Sequence, residues 1–145
     1  MSGTDVMPAV GVRFMVQVDE VDLGLFTSCE GLGVEVVIEQ RNEGGNNAYM
    51  MQIPSRLKFP NIKLTRPLTK ETERVAKWIS GLATGVRRRT GQITAMTSDG
   101  TVVARWGLID VIPVRWTGPT FTKGPADVLT ETIEIAHHGF IDTGA

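Results

Sequence analysis

Cysteine is almost missing from this chain: Cys29 is the only one in 145 residues. An internal disulfide is thereby excluded, and a reducing compartment at the time of folding is the natural reading. Long apolar runs are missing too, and none approaches the ~20 residues that cross a bilayer as a helix. The opening stretch, MSGTDVMPAVGV, has neither a basic start nor a continuous apolar core, so export by a signal peptide is not expected. Charge of one sign is also lacking, since 15 Lys and Arg stand against 16 Asp and Glu. That balance argues against a nucleic-acid footprint, which needs a clearly basic face. The densest basic run, Val86 to Thr90, reads as a solvated or interface patch, because its three arginines have no interleaved aromatics.

What is present is alternation. A length of 145 residues with 41% hydrophobic composition supports one compact domain over 1–145. Val12, Phe14, Val16 and Val18 alternate with polar or longer residues, the period of a strand with one buried face. Leu23 to Ser28, Val34 to Gln40, Ala48 to Ile53 and Asn61 to Arg66 read as further short strands. Ile93 to Thr97 and Val102 to Ile109 flank Asp99-Gly100, a hairpin signal. The stretch from Pro113 to Val128 is rich in proline and glycine and is expected to be mostly loop, with brief pairing at Val114 to Trp116. Val128 to Phe140 closes the set as a strand, its buried positions drawn from Leu129, Thr132 or Ile133, and Ile135. Glu131 and Glu134 are expected to reach solvent or another chain. One helix is expected after Thr69 as N-cap, with Val75, Trp78, Ile79 and Leu82 on one stripe. The fold class is therefore mainly β: an antiparallel β-sandwich or barrel-like domain with one flanking α-helix.

Chemistry is hard to find. His137 and His138 are adjacent, so on a strand they point to opposite faces and do not converge on one ion. Cys29 has no local base. Gly31 to Gly33 and the segment Asn42 to Asn47 lack the remaining residues of dinucleotide or phosphate loops. No catalytic, cofactor-binding or metal-binding residue is assigned, and no enzyme activity or cofactor is expected. One feature has no use within a single small domain: a polar extension at about 40–60, running through Glu43, Gly44, Gly45, Asn46 and Asn47, several times longer than a strand-joining turn.

In order along the chain, Leu25-Phe26, Ser28 to Leu32, Gln40 to Asn46, Lys58 to Arg66, Lys70 to Trp78 and the close Glu131 to Gly139 resemble the tail tube proteins of contractile phages and phage-like contractile injection systems. The likeness spans nearly the whole chain. Ser55 and Pro67 depart from it, standing where family members commonly carry glycine, and both bear on local loop geometry. The type VI secretion tube protein shares the expected fold, but the segments Arg41 to Asn47 and His137 to Gly139 look more like the phage and extracellular-injection branch.

The resemblance implies a structural protomer of a hollow inner tube. It implies homohexameric rings stacked inside a sheath protein, with baseplate and terminator or cap proteins at the ends, and a tube driven through a target envelope. Cargo in the lumen is possible under that reading, with DNA only as a passenger in a phage tail. Assembly in the bacterial cytoplasm without a membrane anchor also follows from it. Arg41, Asn42, Glu43, Gly44, Gly45, Asn46, Asn47, Lys58 and Arg66 are the implied subunit-interface residues. Two other classes compete: a monomeric β-barrel holding a small ligand, and a small hydrolase using His137 or His138.

Overall fold

The computed structural model describes residues 11–19, 21–42, 50–81, 85, 89–119 and 129–141. Among the described residues ten strands and one helix run in the order β1 (Arg13–Val18), β2 (Val21–Phe26), β3 (Ser28–Glu30), β4 (Glu35–Asn42), β5 (Met50–Lys58), β6 (Ile62–Pro67), α1 (Thr72–Ser80), β7 (Arg89–Met96), β8 (Val102–Thr117), β9 (Thr130–Ala136) and β10 (Phe140–Ile141). Eight strands make the body, in the pairing order β2-β1-β7-β8-β9-β6-β3 with β10 added to β8, and β4 pairs with β5 alone. All pairings are antiparallel.

Two corners wrap this order into a barrel-like sandwich. At the first, β2 and β3 stand at opposite ends of the pairing order, yet only Thr27 separates them in sequence. Thr27 N–H donates to the Thr65 carbonyl at 2.9 Å, carrying the chain from one layer to the other. The second corner lies in β8, whose residues up to Val111 pair with β7 and whose residues from Ile112 to Thr117 pair with β9. Asp110 takes φ 55° there, a left-handed turn that aspartate tolerates better than most residues, and the strand changes sheets at such an irregularity. His138 N–H to the Ile109 carbonyl at 2.8 Å and Ile109 N–H to the Gly139 carbonyl at 2.9 Å hold the bend. The stretch after Pro113 was expected as mostly loop with brief pairing at Val114 to Trp116; that pairing is present, and β8 runs without a break through Thr117 because β9 supplies the ladder.

Between the layers lie Val16, Val18, Leu23, Phe26, Ile62, Leu64, Ile93, Leu108, Val111, Ile133 and Ile135, all fully buried. The alternation in β1 correctly names its inward residues Val16 and Val18. Helix α1 packs Val75 fully inside, with Trp78 and Ile79 half-buried, against β2; Leu82 lies outside the described residues. Its start differs from expectation. Glu71 occupies the cap position without a side-chain cap, while Thr69 Oγ1 accepts the Glu71 N–H at 3.2 Å and so shapes the preceding turn. Among the described residues no helix is long and apolar enough to cross a membrane.

Candidate functional site

The strands β4 and β5 form an arm. Their register pairs Glu35 with Lys58, Val36 with Leu57, Val37 with Arg56 and Ile38 with Pro54, onward to Asn42 with Met50. Ser55 is the extra residue of the bulge between the Val37 and Ile38 pairings, and its hydroxyl donates to the Val37 carbonyl at 3.0 Å. That bond gives the serine a role a glycine could not fill. Alternation separates two faces. One carries Glu35, Val37, Glu39, Ile53, Arg56 and Lys58; the other carries Val36, Ile38 and Leu57, with Gln40 and Gln52 further along and Val34 just before the strand. Val34, Val36, Ile38 and Leu57 are 46–58% exposed, more than any interior residue of the body. A two-stranded ribbon with a bare apolar face is marginal alone in water, and among the described residues each strand has one open edge. Of the interface residues expected from sequence, Lys58 is exposed in this arm, and Arg41 and Asn42 lie in β4. Glu43, Gly44, Gly45, Asn46 and Asn47 lie outside the described residues.

Arg66 belongs elsewhere, and this corrects the sequence expectation. It faces inward from β6 and is 1% exposed, as is Glu131, its direct cross-strand partner on β9. Arg66 Nε donates to Glu131 Oε2 at 3.0 Å, and its Nη1 donates to the Leu23 carbonyl at 2.5 Å and Glu71 Oε2 at 3.3 Å. The guanidinium also sits 4.3 Å above the Phe26 ring centroid. Glu131 further accepts from Thr72 Oγ1, and from Trp116 Nε1 at 2.9 Å. One ion pair thus joins β2, β6, β8, β9 and the start of α1. Glu131 was expected at solvent or against another chain; parity along β9 with Ile133 and Ile135 turns it inward, and parity along β6 with Ile62 and Leu64 does the same for Arg66. The signal was in the spacing, and the charge of the residues hid it.

The layer β3-β6-β9-β8 has an outward face built in rows. Ser28, Thr65, Thr132 and Thr117 are successive cross-strand partners, as are Glu30, Lys63, Glu134 and Arg115. Thr65 and Thr132 hydroxyls meet at 3.1 Å, and Asn61 Nδ2 donates to Glu134 Oε2 at 2.8 Å. The second row alternates in charge across all four strands.

β9 ends at Ala136, short of the strand expected to run to Phe140, so the two histidines lie in the bend before β10, where they part to different surroundings. His137 is buried between Phe59 and Phe140, with ring centroids 5.5 and 5.1 Å away, while His138 Nδ1 lies 3.1 Å from Asp110 Oδ2 at the surface. His137 Nδ1 lies 3.1 Å from the Gly139 amide nitrogen and 3.3 Å from the Gly139 carbonyl oxygen, with its donor or acceptor role set by the ring tautomer. Burial lowers its pKa from the usual histidine value, with neighbouring His138 adding to the effect and the Gly139 and Pro60 backbone groups opposing it. A depressed folded pKa means that the unfolded chain takes up the proton first. The stabilisation is complete above the ordinary histidine pKa of about 6.5 and is lost as pH falls through it. Melting temperature is therefore expected to drop between pH 7 and pH 5, and a His137→Phe variant to show a shallower drop. An unchanged slope in the variant would assign the effect to other groups. Burial first, then Glu30, pushes the Cys29 thiol up to about 11, so at neutral pH it is not a thiolate nucleophile. Among the described residues no group of three or more His, Cys, Asp or Glu could hold a metal ion.

Comparison with known proteins converges on one architecture. No curated protein matches the chain by sequence. Among solved structures, a chain of the PVC sheath-tube complex of an extracellular contractile injection system in its extended state aligns at TM-score 0.77 and 21% identity, covering 97% of this chain and 93% of that one. A chain of the anti-feeding prophage baseplate aligns at TM-score 0.76 and 20% identity over 93% and 95%. Hcp1 from Salmonella typhimurium aligns at TM-score 0.56 and 8% identity over 88% and 83%. These likenesses establish the fold. The profile of the T4-like virus tail tube protein gp19 family matches residues 10–141, and the chain therefore belongs to that tail tube family.

Proposed function

We propose that the protein is the repeating unit of the hollow inner tube of a contractile particle, made in the bacterial cytoplasm, whose copies close into six-membered rings that stack inside a sheath. The observation that carries this reading is the arm of a tail tube family member, which holds an apolar face and two strand edges out from its own domain. Each of the four is about half exposed, so covering them would recover roughly 0.7–1.5 kcal/mol apiece, half of the full-burial value, and a second molecule can supply that cover. The arm reaches a neighbouring copy in the same or the next ring, with Arg41, Asn42, Lys58 and the Glu43 to Asn47 segment supplying polar contacts there. The related chains in a sheath-tube complex and in a baseplate make a sheath and a baseplate the fitting further partners, with a cap at the far end and cargo in the lumen. The role is mechanical and needs no catalytic group. A monomeric ligand-binding barrel finds no support in the family, and the interior is filled by side chains of both layers.

Purified protein is expected to form tubes in negative-stain micrographs. Val36→Lys/Leu57→Lys, which charges the bare face of the arm, is expected to leave the circular dichroism spectrum intact and abolish tubes. Normal tubes from that double variant would remove the arm from the assembly.

A further inference from the structure

A recess of about 460 Å³ opens between the C-terminal end of β2 and the turn that leads from β6 into α1. Its walls carry three cations, Arg13, Arg66 and Lys70, and one carboxylate, Glu71. Arg13 and Lys70 are exposed, and among the described residues neither forms an ion pair. Arg66 is 1% exposed; its Nε and Nη1 are engaged, but among the described residues its Nη2 has no acceptor. A buried N–H without an acceptor carries a desolvation cost that an arriving acceptor removes. Thr69 adds a donor, because its Oγ1 accepts the Glu71 N–H at 3.2 Å and keeps its own hydrogen to give. The start of α1 lies at the same wall, and the positive end of its dipole has the same sign as the cations.

The charge count selects the ligand. With Glu131 included, which holds Arg66 from the interior, three cations face two carboxylates and one positive charge is left over. A singly charged ligand cancels it. A phosphate monoester, at about −1.5 to −2 near pH 7, would overshoot and be repelled by Glu71. Leu25, 44% exposed, and half-buried Pro67 supply apolar wall beside the cations, which favours a ligand with a hydrocarbon stem. We infer that this recess binds a carboxylate on a short hydrocarbon stem, accepting from the Arg66 guanidinium with Arg13 and Lys70 at its mouth. A small aliphatic acid has that chemistry, and so does an acidic side chain of another copy. The site stands independently of the ring reading above.

Butyrate is the probe, and saturation transfer from the full-length chain to its methylene protons, followed by NMR, measures binding. Transfer is expected to butyrate and not to butyramide, which has the same stem without the charge. Arg13→Gln and Lys70→Gln are each expected to weaken binding about two- to fivefold, the size of an exposed charge contact. Lys63→Gln, on the outward face of the other layer, is expected to leave it unchanged. Both test residues are exposed, so their variants keep the buried Arg66-Glu131 pair and the fold. Repeating the titration on assembled tubes separates the two sources. Tubes that take butyrate as free chains do identify a free acid as the ligand; tubes that exclude it identify an acidic side chain of a neighbouring copy, and the carboxylate site holds in both cases. No transfer at ~100 mM butyrate, far weaker than the millimolar range of a modest site, overturns the inference. So does equal transfer to butyramide, or unchanged affinity in both variants.

Discussion

Arg66→Met is expected to cost the fold about 3–5 kcal/mol, the usual penalty for removing one partner of a buried ion pair. The loss comes less from the missing attraction than from what stays behind. Glu131 is 1% exposed and would keep its charge with only the Thr72 hydroxyl and the Trp116 indole as donors. The Leu23 carbonyl would lose its 2.5 Å contact, and Phe26 the cation above its ring. Adding Glu131→Gln is expected to recover a substantial part of the loss, because no uncompensated charge then remains inside while the amide oxygen still accepts from Trp116. Denaturant unfolding at constant m-value measures both variants. A single variant within about 1 kcal/mol of wild type would mean that water reaches this cluster and that the pair behaves as a surface one. Among the described residues Arg66 Nη2 meets no hydrogen-bond partner.

Gly31→Ala is expected to be the most damaging small substitution in the corner region, and to exceed Gly24→Ala. Both glycines have left-handed backbones, φ 96° and 94°, so a Cβ costs about 1–2 kcal/mol at either. The surroundings decide the rest. At Gly31 a Cβ would stand 2.1 Å from the Asn61 carbonyl oxygen, a backbone atom at the entry to β6. At Gly24 the nearest atom is a carboxylate oxygen of Glu71, at 1.8 Å but on the movable end of a side chain. Displacing a strand adds about 1–3 kcal/mol of overpacking strain, whereas at Gly24 the half-exposed Glu71 can swing out, and only the end of the buried Arg66 side chain, whose Nη1 would stand 2.8 Å from the Cβ, must also give. Denaturation midpoints of the two alanine variants test the ranking, and the reverse order would show that Glu71 holds the corner more firmly than the backbone contact does.

Reading charge as a mark of exposure is what misplaced Arg66 and Glu131. Each sits in a strand whose neighbours at two-residue spacing are isoleucine or leucine, and that parity was visible. The pairing was not, since 65 residues separate the two in sequence and nothing local reports that β6 and β9 are neighbours. The unbroken run of β8 through Pro113 was hidden for a related reason. A strand that gains its ladder from a distant partner tolerates a proline that would otherwise read as a breaker. The arm, by contrast, announced itself by its length and polarity, although its bare apolar face emerged only when Val36 and Leu57 were seen to be opposite each other.

Local pattern settled the strand identities of β1, β4, β6 and β7, the hairpin at Asp99-Gly100, the stripe of α1 and membership of the tube family, because side-chain alternation and turn chemistry act over a few residues. Which strands lie side by side, where the two corners fall, which charges are enclosed and which edges stay open were decided by the folded chain. Backbone hydrogen bonds are alike for every possible neighbour, so the choice among them is made by the packing of the whole interior and is written in no single stretch of residues.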